Sequence, residues 1–173
     1  MPPADPAGVA GIAAIRTLAL VGAQGAGKTS LAEALLHRAG MLGAPGSLER
    51  GSTASDFDPL ERRMQHSLNS AVLHLLHEGC RVHLIDTPGA SDFAGQALPA
   101  LEAVETAAIV VNAAAGLEPA ALRMMAQAAE RQLDRLIVVN KIDAQGVDLP
   151  ALLAQIQATF GKECLPVNLP AAG

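Results

Sequence analysis

The chain contains no tryptophan, no tyrosine and only three phenylalanines among its 173 residues. Its core cannot be organised around large rings and must be assembled from Ala, Leu, Val and Ile. That composition suits helices packed on a parallel sheet buried on both faces. Long apolar runs are also missing. Half of the residues are apolar, yet no stretch approaches the ~20 residues needed to cross a bilayer. Basic residues are few, 12 Lys and Arg against 17 Asp and Glu, for a formal charge of −5. Unaided binding to nucleic acid through a basic surface is thereby disfavoured. Cysteine occurs twice, at Cys80 and Cys164, in no C-x-x-C pair. Free thiols in a reducing, cytoplasmic setting are the expectation. The opening Met1-Pro2-Pro3-Ala4-Asp5-Pro6 lacks the basic n-region of a secretory signal. Residues 1–15 are expected to form a flexible tail, and 16–173 a single domain.

What the chain does have is a glycine loop in an informative setting. Gly22-Ala23-Gln24-Gly25-Ala26-Gly27-Lys28-Thr29 reads G-x-x-x-x-G-K-T. It follows the apolar Leu18-Ala19-Leu20-Val21 and precedes an alanine- and leucine-rich stretch, Ser30 to Ala39. Strand, glycine loop and helix in that order form the context a phosphate cradle requires. The glycines permit a tight turn that points N–H groups inward. The helix start adds a partial positive charge at the same place. Residues Gly22, Ala23, Gln24, Gly25, Ala26, Gly27, Lys28, Thr29 and Ser30 are therefore the candidate phosphate-binding set. In such a cradle Lys28 reaches the β- and γ-phosphates and the Thr29 hydroxyl holds a magnesium ion.

Along the chain, Arg16 to Val21 reads as a strand and Lys28 to Ala39 as a helix. From Gly40 to Arg63 lie about two dozen residues without periodicity, longer than most structural connections. A nucleotide switch is a segment of this kind, ordered by the γ-phosphate and its metal. Leu68 to Leu76 and Arg81 to Ile85 form a predicted hairpin turning at His77-Glu78-Gly79-Cys80. Then come a helix over Gln96 to Val104, a strand over Ala107 to Val111 and a helix over Glu118 to Leu133. Arg135 to Val139 is the last strand. The final helix, Asp148 to Phe160, has Asp148 as N-cap and Pro150 in its first turn. Strands alternating with helices predict an α/β fold with a mostly parallel sheet and one antiparallel hairpin.

Two further motifs end strands. Asp86-Thr87-Pro88-Gly89 is D-x-x-G: Asp86 can bind magnesium through a water, and the Gly89 N–H can donate to a γ-phosphate. Asn140-Lys141-Ile142-Asp143 is N-K-x-D at a strand's carboxyl end, where open α/β sheets bind ligands. The Asp143 carboxylate accepts two hydrogen bonds, matching the N1–H and N2 donors of guanine. Adenine offers no such pair, and a site of this sort discriminates by ~10⁴ or more. Asn140 can hold the other edge of the base or tie its loop to the phosphate loop. The Lys141 stem can lie along the base plane.

In this order the three motifs resemble those of the P-loop GTPases. Residues Gly46 to Pro59, together with Leu84 to Phe93, narrow the likeness to the elongation factor G family of translational GTPases. Its divergent elongation-factor-G-like paralogues are the nearest match, over about Arg16 to Pro170. The resemblance implies a P-loop NTPase three-layer α/β/α fold, GTP or GDP and Mg2+ as ligands, and GTP hydrolysis stimulated by the ribosome. It implies catalytic roles for Lys28 and Gly89 and a magnesium set of Thr29, Ser67 and Asp86. Ser67 falls where the family has a threonine, Gln65 where it has a glycine and His66 where it has an apolar residue. Ala90 stands in place of the histidine that orients the attacking water, and Gly25 in place of an aspartate. The family's inserted subdomain and ribosome-engaging domains have no counterpart in these residues, so a piece of a longer protein is expected. Two other readings compete with a slow GTPase. A nucleotide-gated module that holds GTP uncleaved is motivated by Ala90. A P-loop ATPase or kinase leaves Asn140 and Asp143 without a task. The five histidines are expected to be solvent-facing or cross-strand rather than metal ligands.

Overall fold

The computed structural model describes residues 11–55, 67–90, 94–168 and 170. Expectations for Gln65, His66 and residues 91–93, like those for most of the N-terminal tail, lie outside the described residues. Five strands form one sheet: β1 (Ile15–Gly22), β2 (Ala71–His77), β3 (Cys80–Asp86), β4 (Thr106–Asn112) and β5 (Asp134–Asn140). Their order is β2-β3-β1-β4-β5. Strand β1 runs parallel to β3 and β4, and β4 to β5, while β2 is antiparallel to β3. The helices among the described residues are α1 (Lys28–Arg38), α2 (Ala94–Glu102), α3 (Pro119–Glu130) and α4 (Leu149–Phe160). This is the expected three-layer α/β/α architecture with its single antiparallel hairpin.

Both faces of the sheet are covered, and side chains alternate between the two cores. Ala19, Val21, Ile85, Ala107, Ile109 and Val111 point to the side of α2 and α3, where they meet Leu101, Met124 and Met125. Their neighbours Leu20, Leu84, Ala108 and Val110 point to the other side, against Ala32 of α1. Helix α4 closes the β5 end through Leu152 and Ile156, with Ile137 and Val139. Small aliphatic residues filling both faces is the packing that the scarcity of rings required. No helix among the described residues is long and apolar enough to cross a membrane.

Several boundaries differ from the sequence expectation. Strand β2 begins at Ala71 rather than Leu68, because its partner ends at Asp86, which pairs with Ala71. Beyond that point the partner turns into Thr87-Pro88 and offers no ladder. Helix α2 starts two residues early and carries Pro99 inside it. Helix α3 stops at Glu130 rather than Leu133. Gln132 adopts φ 56°, and the N–H groups of Gln132 and Leu133 bond back to Ala129 and Ala128. That is a Schellman closure built without glycine.

Candidate nucleotide-binding site

Parallel strands deliver their carboxyl ends to one edge of the sheet, and the three motifs leave from β1, β3 and β5 there. After β1 the chain turns through the glycine loop, and Gly27, at φ 94°, becomes the N-cap of α1. A Cβ at Gly27 would run into Asn140 Nδ2, so close approach as well as backbone angle demands glycine. Lys28 is 5% exposed. Its Nζ donates to the carbonyls of Gly22 at 3.0 Å and Ala23 at 2.8 Å. Burial pulls its pKa from 10.5 down to about 8, against the opposing pull of the Asp86 and Glu118 carboxylates. Gln24, Gly25 and Ser30 are exposed around the loop, while Ala23 and Ala26 are buried beneath it.

Thr29 and Asp86 are both buried. The Thr29 hydroxyl donates to Asp86 Oδ2 at 2.7 Å, and the Thr29 and Ser67 oxygens lie 3.5 Å apart. Three residues separated by up to 57 positions in sequence thus meet as a cluster of oxygen donors. Two hydroxyls and a carboxylate form a hard-donor set that fits magnesium. The Thr87 hydroxyl donates to the Leu20 carbonyl at 2.7 Å, fixing the D-T-P-G turn to β1. Gly89 then packs onto the phosphate loop. A Cβ there would overlap Lys28 Nζ and come within 2.6 Å of the Gln24 nitrogen.

At the other end of the site, Asn140 Nδ2 donates to the Ala26 carbonyl at 2.9 Å. Of its two expected tasks, the tie to the phosphate loop is the one seen. Lys141 is exposed with φ 57°, and its Cε lies 3.9 Å from where a Gly27 Cβ would be. Its stem therefore passes over the phosphate loop. Asp143 is exposed, inside a turn closed by the Ala144 N–H on the Lys141 carbonyl.

Sequence reasoning missed Glu33. It is 1% exposed, and its carboxylate accepts from the N–H groups of Gly46 at 2.7 Å and Ala54 at 2.5 Å. The loop after α1 is thereby fastened to the helix that carries Lys28 and Thr29. A signal existed: Glu33 is four residues after Thr29, on the same helix face. Also missed were Glu118, which acts on Lys28, and Arg123. The latter borders a cavity of about 20 Å³ beside Gly22, Gly89 and Ala90. Among the described residues no group of three or more His, Cys, Asp and Glu side chains is placed to hold a metal.

Residues 13–169 match the family described as the elongation factor Tu GTP binding domain. The chain belongs to that family. As a translational GTPase G domain, it is 37% identical over 156 residues to an elongation factor G-like protein of Mycobacterium tuberculosis. That match covers 90% of this chain and 22% of the relative. Elongation factor G 2 of Streptomyces coelicolor is 35% identical over 156 residues, covering 90% of this chain and 23% of the relative. A crystal structure from Thermus thermophilus aligns with this G domain at a TM-score of 0.82 and 41% identity. It covers 86% of this chain and 22% of that one. A bacterial selenocysteine-specific elongation factor shares the fold, at a TM-score of 0.65 and 20% identity over 83% of this chain and 23% of that one. The G domain thus spans less than a quarter of the length of these relatives.

Proposed function

We propose that this G domain binds GTP and GDP with Mg2+ and cleaves GTP slowly, in the cytoplasm. In this reading the ribosome stimulates cleavage through the remainder of a longer protein. The observation that carries the reading is the bond from Asn140 to Ala26, which joins the base-side loop to the phosphate loop. Residues 22–30 hold the phosphates by their N–H groups, and Lys28 sets its charge against the β- and γ-phosphates. Asp143 accepts from guanine, with Asn140 and Lys141 framing the base. Thr29, Ser67 and Asp86 would hold magnesium, which when bound neutralises charge on the phosphate oxygens. Gly89 donates its N–H to the γ-phosphate, so the D-T-P-G turn senses whether that phosphate is present. Water adds to the γ-phosphorus, the bridging P–O bond breaks, and the water's proton leaves with the phosphate product.

Ala90 has neither donor nor acceptor to orient that water, and the lack of such a group typically costs ~10²–10⁴ in rate. The same residue favours a second reading, a switch that holds GTP without cleaving it. Titration of a fluorescent GDP analogue, with and without EDTA and with ATP as competitor, tests the binding claim. Tight binding lost on chelation and untouched by ATP is expected, and equal competition by ATP refutes the guanine assignment. Single-turnover cleavage with ribosomes, comparing the native chain with Ala90→His, separates the two readings. Fast native cleavage removes the second; no native cleavage, with binding intact, removes the first.

A further inference from the structure

Ala120, Arg123 and Met124 are spaced i, i+3, i+4, so they share one face of α3. That face lines the 20 Å³ cavity together with Gly22, Gly89 and Ala90. The volume is about that of one water molecule. Gly22 and Gly89 also border the phosphate loop's Lys28, whose Nζ bonds to the Gly22 carbonyl and abuts Gly89. Among the described residues Arg123 is the sole charged one bordering the cavity. Among the described residues its guanidinium makes no hydrogen bond or ion pair, whereas that of Arg131 is engaged by Glu102 and Gln127.

We propose that Arg123 is a positioning residue for the Gly89–Ala90 turn, supplying from within the chain a donor group that Ala90 lacks. This rests on the GTP reading of the site. A guanidinium is always charged and presents five donors in a fixed fork. Donating into the cavity through one water, it holds the turn with the Gly89 N–H facing the phosphate site. It accepts no proton, so it aids positioning and leaves the general-base task unfilled. That combination would let the chain keep a reduced rate without the family's histidine.

The test compares native chain, Arg123→Ala and Arg123→Lys in single-turnover cleavage of γ-labelled GTP, with GDP and GTP affinities measured alongside. Arg123 is exposed on a helix surface, so neither substitution threatens folding. The expected result is a rate lower by ~10–100-fold in Arg123→Ala, with affinities unchanged. Partial recovery is expected in Arg123→Lys and on adding guanidinium at sub-denaturing concentration to Arg123→Ala. Equal rates in native and Arg123→Ala overturn the inference, as does a loss that neither lysine nor guanidinium recovers. Absence of native cleavage with GTP bound overturns it too. Failure of the native chain to bind GTP is a different result: it refutes the proposed function, and this inference falls with it.

Discussion

Raising the pH should weaken nucleotide binding through Lys28 alone. Its pKa sits at about 8 instead of 10.5, burial being the main cause. At 1.36 kcal/mol per pH unit the difference is worth about 3 kcal/mol. The folded value lies below the unfolded one, so between pH 8 and 10.5 the unfolded chain binds more protons and stability rises with pH. This contribution is complete above 10.5 and is lost as pH falls through about 8. Phosphates beside Nζ favour the ammonium, so binding must restore the proton. At pH 8 about half of Lys28 is neutral, and each GDP bound should take up ~0.5 proton. At pH 8.5 about a quarter remains charged, so affinity should be ~4-fold below its value at pH 7. Calorimetry in buffers of differing ionisation enthalpy counts the protons. A fluorescent GDP analogue reports affinity, which is convenient in a chain without Trp or Tyr. Uptake below ~0.1 proton at pH 8, or the same pH dependence in Lys28→Met, refutes the reasoning.

Asn140→Ala removes the bond to Ala26 and should weaken GDP binding by about 5–30-fold at ~1–2 kcal/mol, read by the same fluorescent titration. Asp143→Ala should cost GTP affinity and erase discrimination against ATP, measured by competition. Retained selectivity would take the base from that carboxylate. Glu33→Ala leaves the buried N–H groups of Gly46 and Ala54 without their acceptor, for a loss of about 2–4 kcal/mol. A fall in Tm of roughly 4–16 °C follows for a domain of this size. Glu33→Gln, keeping one carbonyl acceptor, should lose about half as much by calorimetry.

What could be read from the sequence, and what could not, follows the range of the interactions. The glycine loop, the hairpin turn and the Asp148 cap are local: Asp148 accepts from the Ala151 N–H at 2.9 Å, as its position before the last helix required. The stop of α1 was marked by Gly40, at φ 74°. The stop of α3 carries no such mark, because Gln132 takes the left-handed position that glycine usually fills. The start of β2 depends on where β3 ends, a fact held by a distant segment. Glu33 left only a faint mark, its spacing from Thr29, and Arg123 none: their meaning lies in the Gly46–Ala54 loop and the Gly89–Ala90 turn beside them. Ser67 was placed by resemblance alone, and the fold sets it 3.5 Å from Thr29.

On the proposed GTP reading, the bond between Asn140 and Ala26 would make the site a caliper. Because its two jaws are locked by the protein's own groups, their spacing is set by the sheet and not by the guest. A guest that fits spends little free energy on setting that gap, which leaves more of its contact energy for affinity. One with the wrong span, a bare pyrophosphate or a base without phosphates, can engage only one jaw. Such a gauge would measure length as well as chemistry, and loosening it should blur both.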